Sequence, residues 1–387
     1  MSVETITLGC RLNFAESETI SRTAAAGEDW VVVNSCAVTN EAARQTRQVI
    51  RRVHRQRPLA KILVTGCASE LEPESFSSMP GVSRVVKNGN KLKVLVANDV
   101  MPPVPSGFLG HVRSFVAIQT GCDHRCTFCS IWQARGPSRS LPFEGIRDSV
   151  ARELDRGAKE IVLTGVDITD YEGSLGMLCQ RLLATEPRLA RLRLSSLDSI
   201  EIDPALFEVA ADARFMPHFH LSLQSGDDLI LKRMKRRHSR TDAVRTVERI
   251  KKVRPDATIG ADLIAGFPTE TEQMALNSLQ LLEDCDLIAA HIFPFSPRPN
   301  TAAARMPQLA REVVKARAAR LREAAAARRE LWLDAQVGSK LQVLIENNSK
   351  GHSDGFAPVK IEGSLRGDTG VARVTARRGD TLAAVWA

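Results

Sequence analysis

The sequence predicts an α/β protein in three parts: an N-terminal open parallel α/β sheet, a central partial (β/α)6 barrel and a small C-terminal all-β barrel. Three observations predict it. Short apolar runs alternate with helix-length stretches from the start of the chain to about residue 333, the pattern of buried parallel strands joined by crossover helices. A stretch with three prolines and two glycines over residues 98–111 interrupts that rhythm and reads as a linker. From Gly338 onward the strands become short, punctuated by Asn347-Asn348, Gly351, Gly355, Gly363 and Gly367, as in a compact all-β module. A chain of 387 residues has room for two or three domains. With 43% hydrophobic and 25% charged residues, wholesale disorder is excluded.

The elements follow in order. Residues 1–97 hold Thr5-Ile6-Thr7-Leu8, Trp30-Val31-Val32-Val33 and Lys61-Ile62-Leu63-Val64, each a buried-strand run followed by space for a helix. Residues 112–333 hold strand candidates centred near Val116, Val162, Leu192, Leu221, Ile259 and Ile288. Six βα units fall short of the eight that close a barrel. The Ala/Arg-rich stretch 311–329 is a helix that closes this domain. Residues 338–387 hold strand candidates over 340–345, 356–361, 371–375 and 381–385.

No apolar stretch of membrane-spanning length is present. The opening Met1-Ser2-Val3-Glu4-Thr5 has no basic flank and no apolar core, so a cytoplasmic protein with reduced thiols is expected. Its eight cysteines are then core residues, nucleophiles or metal ligands. A formal charge of +8 suits a polyanionic partner such as nucleic acid. With 5% aromatic residues and a single Tyr171, base stacking cannot be spread widely over the surface.

Two cysteine triads carry the chemistry. Gly121-Cys122-Asp123-His124-Arg125-Cys126-Thr127-Phe128-Cys129 places three thiols at C-x3-C-x2-C just past the strand over 115–118, on the face where βα barrels build active sites. Three thiolates on a cubane leave one iron open. A Cys3His zinc site through His124 is the structural alternative. In the second triad, Cys10, Cys36 and Cys67 each sit just past an apolar strand. In an open parallel sheet those ends lie together where ligands bind. Three buried core cysteines are the bland alternative.

The C-x3-C-x-Phe-C pattern resembles the signature of the radical S-adenosylmethionine superfamily, whose fold is a partial (β/α)6 barrel. Leu8-Gly9-Cys10-Arg11-Leu12-Asn13, Asn34-Ser35-Cys36-Ala37-Val38-Thr39 and Thr65-Gly66-Cys67-Ala68 resemble the opening motifs of the methylthiotransferases. The likeness covers essentially the whole chain, including a C-terminal module similar to the RNA-binding TRAM domain. It implies two [4Fe–4S] clusters, one on Cys122, Cys126 and Cys129 and one on Cys10, Cys36 and Cys67. It also implies S-adenosylmethionine on the open iron of the first, a transferable sulfur on the second, tRNA as partner, and an electron donor such as a flavodoxin or ferredoxin. A monomer is expected. Three substrate classes compete within the family: isopentenyladenosine, threonylcarbamoyladenosine and a ribosomal-protein aspartate. The opening motif and Phe293-Pro294-Phe295-Ser296-Pro297-Arg298-Pro299 are most similar to the threonylcarbamoyladenosine branch. That branch methylthiolates C2 of the modified adenosine at position 37, beside the anticodon. A metal-stabilised RNA-binding protein is the non-enzymatic alternative. Ser130-Ile131-Trp132-Gln133 departs from the family pattern, which resumes at Ala134-Arg135-Gly136-Pro137.

The resemblance also points to Gly165 and Asp167 near the amino group of S-adenosylmethionine and to Ser195 and Ser196 near its ribose. Gln224 and Asp262 fall at the fourth and fifth strands of the same face. Asp167 read by itself is equally a helix N-cap. Two basic runs, one with Arg44, Arg47, Arg51 and Arg55 along one helix and one with Lys232, Arg233, Lys235 and Arg236, form either solvated faces or a track for the phosphates of the anticodon stem-loop. Cys179 and Cys285 read as core.

Overall fold

The computed structural model describes residues 3–23, 29–92, 104–107 and 111–387. The first unit is a four-stranded parallel sheet in the order β1 (Glu4–Thr7), β2 (Trp30–Ser35), β3 (Lys61–Gly66), β4 (Val82–Val85). β2 and β3 are built on Val-Val-Val and Ile-Leu-Val and are buried over most of their length, as central parallel strands require. β4 is not expected from the sequence; its four residues are half-exposed at the sheet edge and carry no continuous apolar run. Helix α1 (Arg11–Thr23) follows β1, α2 (Asn40–Gln56) follows β2, and the short α3 (Cys67–Leu71) follows β3. Thr39 caps α2 by accepting from the Ala42 amide at 3.1 Å. Its Ala43, Thr46, Ile50 and Val53 face the sheet.

Much of the segment expected to be a linker, 98–103 and 108–110, lies outside the described residues. Within it, Ser106–Gly107 forms strand β5, antiparallel to β6 (Arg113–Ala117). A side chain at Gly107 would collide with Glu18 of α1, since its Cβ would lie 2.4 Å from Glu18 Cγ. Ser106 exchanges hydrogen bonds with Thr19 and donates to Glu153 at 3.0 Å. This part of the connection is therefore fixed between the two units.

The central unit follows the expected topology. After the two-residue strands β7 (Gln119–Thr120) and β8 (Arg139–Ser140), it continues with β9 (Glu160–Thr164), β10 (Leu192–Leu194), β11 (His218–Gln224), β12 (Thr258–Ala265) and β13 (Leu287–Pro294). β6, β9 and β10 form one parallel sheet and β11, β12 and β13 another. Parallel bridges Leu192 to Phe215 and Leu197 to Leu221 join them into one open, six-strand partial barrel. Helix Arg311–Asp334 packs along β13 and β12.

The last unit is a closed five-stranded barrel of β14 (Lys340–Asn347), β15 (Lys350–Ser353), β16 (Pro358–Lys360), β17 (Thr369–Arg378) and β18 (Thr381–Trp386). β15 is likewise not expected; its Lys-Gly-His-Ser has no apolar alternation to mark it. This barrel caps the N-terminal ends of the central strands. Arg113 pairs with Glu346, Arg191 with Asp354, and Thr258 donates to the Gly355 carbonyl at 2.8 Å. Phe356 stacks on His218 with ring centroids 5.1 Å apart. The small barrel thus lies at the end of the central barrel opposite its strand C-termini. Among the described residues no helix is long and apolar enough to cross a membrane.

Candidate functional site

The loop of the C-x3-C-x2-C motif leaves the barrel after β6 and is closed by β7 and β8, which pair antiparallel. Gly121 starts the loop at φ +81°, and a Cβ there would lie 1.8 Å from the Pro137 carbonyl oxygen, so only glycine fits. The Cys122 amide donates to Gly136 O at 3.1 Å and the Cys129 amide to Cys126 O at 3.1 Å. Thr127 is tied to Met234 O and Arg233 O. Three thiols are held on one folded loop at the strand C-termini. Burial pushes Cys122 up to about 12, with the charge of Asp167 adding to it, and pushes Cys129 up to about 11. Cys126 differs. Burial also pushes it up, but hydrogen bonding from His124 and the guanidinium of Arg236, 3.8 Å from its sulfur, leave it lowered. Thiols of this kind ionise when a cation binds them, and the thiolate is the ligand.

Acids and bases surround this loop. His124 lies 3.5 Å from Asp167, 3.4 Å from Glu201 and 3.8 Å from Asp198. Its Nε2 and Glu201 Oε2 are buried without a hydrogen-bond partner among the described residues, a polar recess that suits a polar ligand. The residue weighed as a fourth zinc ligand is thus surrounded by carboxylates, although Cys122, His124 and Asp167 also gather their donor atoms within 4.8 Å. Asp167 occupies the N-cap position of the single 3-10 turn Ile168–Asp170, but its carboxylate makes no cap hydrogen bond and accepts from Thr169 Oγ1 at 2.7 Å instead; burial pushes its carboxyl up. Gly165 admits Gln119, whose carbonyl and side-chain oxygens would lie 2.8 and 2.9 Å from a Cβ there. Gln119 accepts from the Val166 and Asp167 amides, both at 3.0 Å, and donates to Gly121 O at 2.8 Å. It joins the loops after β6 and β9, a role its sequence position does not signal. Ser195 and Ser196 follow β10. Gln224 ends β11 at φ +65°, a backbone conformation that costs a non-glycine residue about 1–3 kcal/mol.

Asp262 stands apart from these. It lies midway along β12, inside the open barrel, where its Oδ1 meets His220 Nε2 at 3.0 Å and His291 Nδ1 at 3.1 Å. Burial opposes ionisation of Asp262, but the two histidines hold its carboxyl far below the usual carboxylate range.

The second triad forms at the ends of β1, β2 and β3. A Cβ on Gly9, at φ +94°, would lie 2.4 Å from Cys36 Sγ, so that thiol rests on bare backbone. Val38 N donates to Cys36 Sγ at 3.5 Å and Asn88 Nδ2 to Cys67 Sγ at 3.8 Å. Burial pushes Cys36 up to about 11, and Cys10 and Cys67 are close enough for their charges to add to it. Cys10 is exposed; Cys36 and Cys67 are buried. The two triads adjoin. Cys67 acts electrostatically on Cys129, and the Arg298 guanidinium is within electrostatic reach of both Cys36 and Cys129. Arg135, from the helix Ile131–Arg135 that follows Cys129, reaches Glu16 and Asn13 in α1 and lies beside Cys10 and Cys67. Cys179 and Cys285 are buried in the barrel core.

The basic runs divide. Arg44 is tied to Glu41, and Arg47 to Glu72 and the Phe76 ring. Among the described residues Arg51 and Arg55 have no acidic partner, and they rim a recess of about 680 Å³. Lys232 and Lys235 are exposed, while Arg233 donates to Thr269 at 2.8 Å. Arg236 corrects the expectation of a surface phosphate contact. Its side chain is 6% exposed, and it pairs with Asp198 at 2.6 Å beside Cys126. A run of charges cannot reveal that one member turns inward to meet a buried carboxylate.

The partial barrel with three thiols on the loop after its first strand defines a radical S-adenosylmethionine protein. Residues 116–282 match the family profile of the Radical SAM superfamily, and residues 2–87 match Uncharacterized protein family UPF0004. The chain belongs to the family of threonylcarbamoyladenosine tRNA methylthiotransferases. It is 42% identical over 383 residues to threonylcarbamoyladenosine tRNA methylthiotransferase MtaB of Rickettsia prowazekii, covering 93% of this chain and 91% of the relative. To the protein of that name from Thermotoga maritima it is 33% identical, covering 78% and 76%. In fold it is similar to the radical S-adenosylmethionine methyltransferase TsrM of Kitasatospora setae, with a TM-score of 0.56 at 15% identity, covering 70% of this chain and 64% of that one.

Proposed function

We propose that this chain methylthiolates C2 of N6-threonylcarbamoyladenosine at position 37 of tRNA, using two [4Fe–4S] clusters and S-adenosylmethionine. The adjacency of two cysteine triads, each at the strand C-termini of its own sheet, carries the reading. Cys122, Cys126 and Cys129 hold one cluster, and Cys10, Cys36 and Cys67 the other. When bound, these groups supply one-electron cleavage of a sulfonium and a site for transferable sulfur.

The chain's own residues position and shield that chemistry. In this reading Asp167 accepts from the ammonium of S-adenosylmethionine; the loop that carries it is held by Gln119. Ser195, Ser196 and Gln224 line the same rim, with Asp262 deeper in the lumen. Arg236 and His124 keep negative charge on Cys126 favourable. The buried side chains around the loop would shield the bound groups from solvent. Arg51, Arg55, Lys232 and Lys235 meet anticodon-stem phosphates. Residues 1–97 form the second-cluster domain, 98–111 the connection, 112–333 the radical core and 338–387 the RNA-binding module. A flavodoxin or ferredoxin supplies the electron to a cytoplasmic monomer.

Mass spectrometry of tRNA nucleosides from cells with and without the gene tests this reading. The methylthio form of threonylcarbamoyladenosine is expected to vanish and its precursor to accumulate. If that nucleoside is unchanged, the reading fails, and isopentenyladenosine and the ribosomal aspartate are the substrates to test next.

A further inference from the structure

Arg11 immediately follows Cys10, yet its side chain enters the lumen of the central barrel. Its guanidinium carbon lies 5.9 Å from the centre of the Phe115 ring on β6. The charges around it come from Arg113, Arg193, Glu160 and Asp262. Each of these is otherwise engaged. Arg113 pairs with Glu346 at 3.0 Å, Arg193 with Glu160 at 2.8 Å, and Asp262 with His220 and His291. Among the described residues Arg11 has neither a hydrogen-bond nor an ion-pair partner. A cation in a partly enclosed site whose neighbouring carboxylates are already paired elsewhere is costly unless a ligand pairs with it directly.

The surrounding groups define what that ligand is. The His220 and His291 rings lie 4.7 Å apart and share one oxygen of Asp262. Their other nitrogens, Nδ1 of His220 and Nε2 of His291, have no hydrogen-bond partner among the described residues. The recess therefore offers an unpaired guanidinium, two imidazole nitrogens and one aromatic face. This set suits a small group bearing a carboxylate and further polar atoms, and it does not suit a branched hydrocarbon.

We propose that Arg11, together with the Asp262-anchored pair His220 and His291, forms the subsite for the carboxylate of the substrate's N6 substituent. This rests on the reading of the substrate as threonylcarbamoyladenosine. C2 and C6 of adenine flank the same ring nitrogen, and N6 is carried on C6, so a substituent on N6 projects close to the reacting carbon. Arg11 is one residue from a cysteine of the second triad, so the group that binds the substituent is covalently tied to the site proposed to carry the sulfur. The opening motif then determines specificity as well as ligation: the arginine beside Cys10 selects an anionic substituent.

The test compares two anticodon stem-loop RNAs on the reconstituted full chain. One carries N6-threonylcarbamoyladenosine, and the other carries the same nucleoside with its carboxylate converted to a primary amide. Equilibrium binding and single-turnover methylthiolation are both read. The acid RNA is expected to bind at least about tenfold tighter, as a charge-assisted pair predicts. Arg11→Gln removes that preference, and Arg11→Lys restores part of it. Equal binding of the two RNAs by the unaltered protein overturns the subsite without any variant, as does a preference that survives Arg11→Gln. If the unaltered protein modifies acid and amide RNAs equally well, the subsite alone fails. If it modifies neither of the two but does modify a third, control stem-loop carrying isopentenyladenosine, the substrate reading fails with it.

Discussion

Arg135 of the cysteine loop and Glu16 of α1 form a buried two-pronged ion pair, with Nη1 to Oε1 at 2.8 Å and Nη2 to Oε2 at 3.0 Å. The same guanidinium donates to Asn13 Oδ1 at 2.6 Å, and Lys91 pairs with Glu16 from the other side. The contact joins the radical-type barrel to the N-terminal sheet at the point where the two cysteine triads approach. It fixes both distance and orientation, because a planar fork meets a planar carboxylate in one geometry.

Breaking that pair should be costly. Arg135→Ala leaves Glu16 and Asn13 unmatched in the interior and is expected to lose about 3–5 kcal/mol of stability. Arg135→Lys keeps the charge but loses the fork, so it should recover only part of the loss. Urea unfolding measures both; an unchanged midpoint for Arg135→Ala would refute the assignment.

The pair also sets a pH dependence. Burial pushes Glu16 up, but Arg135 and Lys91 outweigh it and hold the carboxyl down at about 2, against an ordinary value of 4.5. A depressed folded value stabilises above the unfolded value and drains away as pH falls towards the folded one. The stability gap between the unaltered protein and Glu16→Gln should therefore be full above about pH 4.5 and narrow towards pH 2. Thermal unfolding across that range reads it, and a gap independent of pH is the contrary result.

The basic residues should separate by burial. Alanine at Arg51, Arg55, Lys232 or Lys235 is expected to weaken tRNA binding and lower the salt slope by about one for each phosphate no longer neutralised. Arg236→Ala should instead destabilise the fold, because it strands the buried Asp198 carboxylate. Salt-dependent binding isotherms beside unfolding curves distinguish the two behaviours.

Metal content tests the ligand assignment. The reconstituted chain should hold about eight irons, and alanine at Cys10, Cys36 and Cys67 should leave about four with S-adenosylmethionine cleavage intact. Cys126→Ala should abolish cleavage. Anaerobic iron analysis with a cleavage assay decides; zinc, or cleavage that survives Cys126→Ala, contradicts the two-cluster mechanism.

Much of this architecture was legible in local sequence. Val31-Val32-Val33 and Ile62-Leu63-Val64 announce buried parallel strands because a central strand is apolar on both faces. The two cysteine triads were legible because Cys122, Cys126 and Cys129 crowd into one C-x3-C-x2-C loop, while Cys10, Cys36 and Cys67 each follow such a run. Strands β4 and β15 were not, because an exposed edge strand and a short polar hairpin strand need no apolar pattern.

Tertiary structure alone decided which polar residues meet. Arg135 and Glu16 are 119 positions apart, and Arg236 lies 38 positions from Asp198. Gln119 links two loops that belong to different βα units. Arg11 is legible in sequence only as a member of the opening motif; the fold alone turns its side chain towards Phe115 in the barrel lumen. Apolar periodicity is a local property, because burial is set strand by strand. The pairing of buried charges depends on where distant segments come to rest, and no spacing along the chain encodes that.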